Sequence, residues 1–440
     1  MLPLSPDRIA LKFDDEHAIA FAGLINTAML AGRLGLRSLF ETHIQLGNAA
    51  GKANAGHKAM TLVHSVLVGG ECIDDVDALR AGATAAVLGH EVRAPSTVGT
   101  FLRSFTWGHV RQLDHVAGEL LTRAWHAGAG PGSDPVTLDL DSTLCETYGS
   151  QKQGARVNYT GGHGYNPLLA TRAGSGEVVH SRLRGGNAHS SRGAASFLAE
   201  TFQRVRRAGA TGALAIRADS GFYTHSIVKA CRRAGVAFSI TVRMQRNVLE
   251  VIEAIPDDAW MEIPYWQAGG AEVAETEYLP FRPKQAVRLI VLRTHPSPGN
   301  QLTLFKRYTY HAFITDRDGE TIALEADHRR HAEVEQVIRE LKYDAGLNHF
   351  PSGRFAANAA WLAFNVIAHN LAQWVWRLGL PDHPRLTTRT LRRRLWCVPG
   401  RLTRSARRWT LHLPRHWPWA DAFLSVLNRL RAIPPPLQAR

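Results

Sequence analysis

The sequence predicts an α/β protein built on a mixed sheet, and three observations carry that expectation. Short β-type runs end in aspartate at TLDLDSTL (137–144) and ALAIRADSG (213–221). Helices and strands alternate from ASFLAETFQRVRRAGA to VAFSITV. A further block of strands then precedes a glutamate-rich helical run, HAEVEQVIRELK (331–342). Alternating elements of this kind build a sheet with helices laid over it.

The first 130 residues lack strand alternation and read as helical. FAGLINTAMLAGRLGLRSLFETH and HKAMTLVHSVLVGG repeat apolar residues at three-to-four spacing. Near residue 95, Ser96 or Thr97 can cap a helix that carries Phe101, Leu102, Arg103 and Phe105. That segment has two readings, a DNA-reading helix with Arg103 one turn in, or a capped scaffold helix. The linker HAGAGPGSDP closes the region.

A strand from Val136 to Asp141 follows, then the Gly-rich stretch GARVNYTGGHGYNPLLA, whose Leu168 to Thr171 end can re-enter a sheet. EVVHSRLR gives a third strand, and GALAIRAD and VAFSITV flank the helix HSIVKACRRAG. Between residues 245 and 325, DDAWMEIPYW, AEVAETEYL, AVRLIVLRT and LTLFKRYTYHAFIT read as strands separated by turns such as AGG and PSPGN. AANAAWLAFNVIAHNLAQWVW is apolar enough to invite a membrane reading. Its Asn358, Asn365, His369 and Asn370 argue instead for a core helix.

Bulk properties narrow the partners. The chain has 440 residues, 45% apolar, with a net charge of +14; a pI near 10.0 favours a polyanion, nucleic acid before membrane. Residues 381–440 hold thirteen arginines, no lysine and only two acids, Asp382 and Asp421. Arg392, Arg393, Arg394, Arg401, Arg404, Arg407 and Arg408 are expected to make sequence-independent phosphate contacts, the alternative being a solvated face. Cys72, Cys145, Cys231 and Cys397 form no metal-binding spacing and fit a reducing compartment. The acidic N-terminus lacks the apolar core of a secretory signal, so the expected location is the cytoplasm.

The chemistry rests on the acids. Asp141 and Asp219 each fall at the C-terminal end of a strand, where α/β folds place their sites. Asp139 lies two residues before Asp141 and so shares its face, which makes it a candidate further metal ligand. A bland role as a helix N-cap stays open for Asp219. In the helical run Val334, Ile338 and Leu341 mark the buried stripe, and Glu335 beside it is a better candidate than Glu333 or Glu340, the last read as a surface acid. Oxygen ligands of this kind suit Mg²⁺ and phosphodiester chemistry.

Taken together, LDLDST, GARVNYTGGHGYNPLLA, IRADSGFY, YTYHAFITD and the 331–370 run resemble the DDE transposases of bacterial insertion sequences, transposase DDE domain group 1. The resemblance extends to the WCVPGRLTRSARRWTLHL tail. It implies a ribonuclease-H-like mixed-sheet core (131–244 and 326–380), split by a β-rich insertion (245–325). A helical region (1–130) would bind the element's ends, and a basic C-terminal region (381–440) would follow. It implies Asp141, Asp219 and Glu335 as the metal-binding triad, with two Mg²⁺ ions that Mn²⁺ can replace. DNA would be touched by Lys342, Arg329, Arg330, His331, Arg339 and Arg103 as well as the tail. The family's helix signature carries tyrosine and arginine where this chain has His328 and His331. The implied activity is strand cleavage and 3′-hydroxyl transfer by a dimer on double-stranded DNA, at terminal inverted repeats and at a target, in the bacterial cytoplasm or on the nucleoid. The competing readings are an inactive DNA-binding remnant and a metal-dependent nuclease without strand transfer.

Overall fold

The computed structural model describes residues 5–149, 151–158, 160–264, 270–281, 285–294 and 308–436. Its centre is a nine-stranded mixed sheet. In chain order the strands are β1 (Val136–Ser142), β2 (Leu168–Arg172), β3 (Glu177–Arg182), β4 (Leu214–Ala218), β5 (Ala237–Thr241), β6 (Met261–Glu262), β7 (Ala271–Tyr278), β8 (Val287–Thr294) and β9 (Thr309–Thr315). Across the sheet the order is β6-β7-β8-β9-β5-β4-β1-β2-β3. The first five strands thus make the β3-β2-β1-β4-β5 arrangement of a ribonuclease-H-like core, with β1, β4 and β5 parallel and β2 and β3 antiparallel. The turns AGG (in part) and PSPGN, and the first half of LTLFKRYTYHAFIT, lie outside the described residues.

The inserted strands do not form a separate sheet. β9 pairs antiparallel with β5 through Phe313–Thr241, Ile314–Ile240 and Thr315–Ser239, so the insertion prolongs the core sheet outward. Continuation is favourable because an open β5 edge would leave unpaired backbone groups. The other edge, β3, is closed by a side chain. Asn370 accepts from Val178 N and donates to Val178 O, both at 2.8 Å. Next to it His369 bonds the carbonyl of Gly176 at 2.7 Å. These polar residues belong to the 25-residue helix Phe355–Gly379, which is buried over most of its length. Among the described residues no helix is long and apolar enough to cross a membrane.

That helix also receives the N-terminal helices Ile25–Arg33, Ala55–Leu67, Pro95–Arg103 and Trp107–Ala124, and their apolar side chains join the sheet's in one continuous core. The first apolar segment breaks at Gly35, whose φ of 65° suits glycine, giving two helices in place of one. The segment near residue 95 also divides. Its first helix starts with Pro95 at N1 after Ala94, without a cap from Ser96 or Thr97, and ends at Arg103. Arg103 therefore stands at the C-terminus of that helix, not one turn in. Thr106 and His109 form a capping box that starts the next helix.

Candidate metal centre

β1 and β4 run parallel with Asp139 opposite Arg217 and Leu140 opposite Ala218. The next step along both strands reaches Asp141 and Asp219, so the pairing sets two carboxylates side by side where the strands end. Neighbouring strands are about 4.8 Å apart. Asp141 Oδ1 accepts from Ser142 N at 2.6 Å. Asp219 Oδ1 accepts from Gly221 N at 2.9 Å, capping the single turn Ser220–Phe222, whereas the next helix, His225–Arg233, starts after Thr224.

Glu335 comes from the first turn of the helix Glu333–Asp344, which buries Val334, Val337, Ile338 and Leu341. It is exposed and makes no hydrogen bond among the described residues. Its charge reaches Asp141. Burial, chiefly, pushes the Asp141 carboxyl up to about 6; His331 pulls it back, and Asp219 and Glu335 push it further up. The charges of Asp219 and Glu335 thus bear on the Asp141 carboxyl, and an all-oxygen donor set of this kind suits a hard cation such as Mg²⁺ or Mn²⁺.

Asp139 plays a different part. It is buried, with Arg217 Nε at 2.7 Å and Nη2 at 2.9 Å, and His331 Nδ1 donates to it at 3.1 Å. Arg217 is fully buried and also donates to the Asp327 carbonyl at 2.5 Å. Asp139 is thus committed to an ion pair beneath the acids, which corrects its placement as a metal ligand.

The remaining candidates divide in the same way. His328 is buried and stacked on Phe313, bonded to Ser239 and Thr241, with burial holding its pKa well below 6.5. It faces the core, whereas His331 faces the acids. Arg329 is paired with Glu325, and Arg330 with Glu333 at 2.8 Å. Arg339 is exposed, and Lys342 donates to the Leu144 carbonyl at 2.8 Å, fastening the chain just beyond Asp141. Glu340 is buried, accepting from Arg385 at 2.7 Å and Thr388 N at 3.0 Å, so it is no surface acid.

Arg392 is likewise no phosphate ligand in this conformation. It donates to the carbonyls of Leu67 (2.8 Å), Val66 (3.2 Å) and Asp344, closing the ends of two helices. Arg394 lies over Trp419, 5.4 Å from the ring centre. Arg393, Arg401, Arg404, Arg407 and Arg408 are exposed.

Two cleft residues escape sequence reasoning. Arg243 donates to the Ser220 carbonyl at 3.1 Å and meets His189 Nε2 at 3.1 Å. Close by, the Ser190 hydroxyl lies 3.2 Å from that of Ser142. The loop RGGNAHSSRG offers only turn chemistry, and nothing local says that it folds against Asp219.

A second group of ligand-type side chains, Asp114, His180 and Glu200, has its ligand atoms within 4.8 Å of one another. Its acids are already neutralised. Arg204 lies 2.6 Å from Asp114, while Arg111 and Arg182 lie 2.9 and 2.7 Å from Glu200. Burial and the same three arginines hold the His180 pKa well below 6.5. A divalent ion there would face three guanidinium groups. Among the described residues the Asp141 set has no arginine ion pair.

An acid-ended parallel strand pair in a ribonuclease-H-like sheet, with a glutamate helix beside it, defines the DDE class of nucleic-acid enzymes. The sequence matches the family described as Transposase DDE domain group 1 over residues 3–435, and the chain belongs to that family. Membership makes it a metal-dependent enzyme of the DDE superfamily. Among solved structures it is similar to a piggyBac transposase synaptic complex with hairpin DNA. The identity is 11%, over 86% of this chain and 80% of that one, with a TM-score of 0.45. No curated protein matches.

Proposed function

We propose that the chain is the transposase of a bacterial insertion sequence. It nicks double-stranded DNA at the element's terminal inverted repeats and joins the freed 3′-hydroxyls to target DNA. The observation that carries this reading is the β1/β4 register, which ends in Asp141 and Asp219, together with the charge of Glu335 acting on the same carboxyl. In this reading Asp141, Asp219 and Glu335 hold two Mg²⁺ ions, replaceable by Mn²⁺. Such ions activate an attacking water or 3′-hydroxyl and stabilise the leaving 3′-oxygen.

The protein's own groups position and shield. Arg217 and Asp139 fix the strand ends beneath the site, and the imidazole of His331 is oriented by its Nδ1–H bond to Asp139. Since a carboxylate only accepts, that nitrogen must carry the proton, which leaves Nε2 for the cleft. Lys342, Arg339, Arg330 and Arg243 give the cleft its positive rim for the phosphate backbone. Arg329, though paired with Glu325, belongs to the same basic surface. End recognition falls to residues 1–130, including Arg103, and two ends call for a dimer on DNA. The protein works in the cytoplasm, on the nucleoid when DNA-bound.

The test is purified protein with Mg²⁺ and a duplex ending in the inverted repeats that flank the gene. New 3′-hydroxyl ends joined to a second duplex are expected. Nicks without joined product would leave a nuclease, and binding without nicks an inactive remnant; neither outcome is compatible with the proposal.

A further inference from the structure

We infer that the hairpin Gly400–Ser405/Arg408–His412 is a β-ribbon that docks into the major groove of a B-form DNA duplex. The inference rests on the reading of the chain as an enzyme acting on DNA, and it assigns one surface to that partner.

The hairpin is anchored only at its base. Arg401 and Gly400 pair with the short strand Ala18–Ile19, and Leu402 and Leu411 pack with Ile19 and Ala22. Beyond that pair the two strands continue alone, through Thr403–Thr410, Arg404–Trp409 and Ser405–Arg408. Three residues per strand extend about 10 Å. Two strands lie about 4.8 Å apart, so the ribbon fits a groove about 12 Å wide.

The projecting part has the composition of a nucleic-acid surface. Arg404, Arg407 and Arg408 are exposed, and none has a carboxylate partner among the described residues. No acid occurs in the sequence between Asp382 and Asp421, and the one carboxylate that meets the hairpin among the described residues is Asp15, 3.8 Å from Arg401 at its base. One face presents Arg401, Thr403, Ser405, Arg408, Thr410 and His412, and all but the half-buried Thr403 are exposed. The other carries Trp409, 56% exposed, with the Arg404 guanidinium 5.3 Å from its ring centre.

The turn supplies an independent argument. Ala406 and Arg407 have φ of 45° and 69°, both left-handed. A two-residue hairpin turn of that shape is strongly favoured by Asn-Gly, because ordinary residues are strained there. The chain instead keeps an arginine at the tip. A backbone preference overridden in an exposed loop points to a demand on the side chain kept there.

The experiment measures binding of full-length protein to a random-sequence duplex in EDTA across a salt series, on an Asp141→Asn background so that no cleavage intervenes. Arg404→Ala/Arg407→Ala/Arg408→Ala is expected to bind about tenfold or more weakly. It should also lower the slope of log K against log salt by about 2.7, roughly 0.9 per lost phosphate contact. Ala406→Asn/Arg407→Gly relaxes the turn and removes only the tip charge, so it guards against misfolding; a slope lower by about 0.9 is expected. Unchanged slopes in both variants overturn the inference. Loss of binding to anionic vesicles or single-stranded RNA with duplex binding intact overturns it too. If the hairpin variants lose duplex binding yet the protein with Asp141 intact never joins strands in Mg²⁺, the transposase reading fails and this one stands.

Discussion

Asp139→Asn and Asp141→Asn change acids two positions apart on one strand, and they should move stability in opposite directions. Asp139 is 1% exposed and accepts from Arg217 at 2.7 and 2.9 Å and from His331 at 3.1 Å. Asparagine there removes the charge opposite a fully buried guanidinium. Removing one partner of a buried pair costs about 3–5 kcal/mol. Asp327, 3.3 Å from Arg217, leaves some compensation, which favours the lower end. Asp141 is the reverse case. Its carboxyl rises from 3.8 to about 6 in the fold, a difference worth about 3 kcal/mol. Because the folded pKa is raised, the stabilising proton is bound below about 3.8 in both states and is lost from the fold as pH rises through about 6. At pH 7.5 the ionised group is therefore a burden that asparagine lifts. Thermal unfolding in EDTA at pH 7.5 is expected to show Asp139→Asn melting lower than the parent and Asp141→Asn higher. Added Mn²⁺ should raise the melting point of the parent and of Asp139→Asn far more than that of Asp141→Asn, since only ligand binding to the native state stabilises. A well-folded Asp139→Asn that has lost its response to Mn²⁺ would refute the reasoning and return Asp139 to the metal shell.

Further outcomes separate site from scaffold. Glu335→Gln and Asp219→Asn should abolish strand cleavage while leaving duplex affinity within about twofold, because the lost charge holds a metal and not a phosphate; retained cleavage on a sequencing gel removes that residue from the site. Glu340→Gln should instead lower stability by about 3 kcal/mol, read by urea unfolding, since it strands Arg385 and Thr388. Arg392→Ala should lower the melting point and leave the DNA salt slope unchanged, in contrast to the hairpin arginines. His180 and His328, held neutral by burial, have folded pKa values well below 6.5. The unfolded chain gains protons first as pH falls below about 6.5, so each should subtract up to about 1.4 kcal/mol of stability per pH unit, seen as a falling urea midpoint.

Much of the core was legible because its signals are local. Strand ends at Asp141 and Asp219 follow from a run of apolar residues meeting a carboxylate, and the stripe Val334, Ile338, Leu341 orients the helix of Glu335. The polar residues of the 355–379 helix were read as core because polar groups inside an apolar run demand partners, and Asn358, His369 and Asn370 have them. Their identity was not readable. Nothing in the sequence says that Asn370 closes the β3 edge, since its partner Val178 lies 192 residues away.

The misread acids share one physical cause. Period-two and period-3.6 arguments place a side chain on a face, but they say nothing of what lies across from it. Asp139 and Asp141 share a face, yet two residues along β1 take the chain from a pairing opposite Arg217 to the strand end beside Asp219, just past the last pair Leu140–Ala218. Glu340 lies on the helix flank that the 381–391 segment covers, and Arg385 and Thr388 turn it from a surface acid into a buried one. The tail shows the same rule in reverse. Its arginines are chemically alike in sequence, but Arg392 meets three backbone carbonyls while Arg404, Arg407 and Arg408 meet solvent. In a basic, acid-studded chain of this kind the charges that the fold leaves unpaired are the ones to test for function. Among the described residues the carboxylates at the β1/β4 ends and Arg404, Arg407 and Arg408 of the projecting hairpin have no ion-pair partner, and the two proposals rest on them.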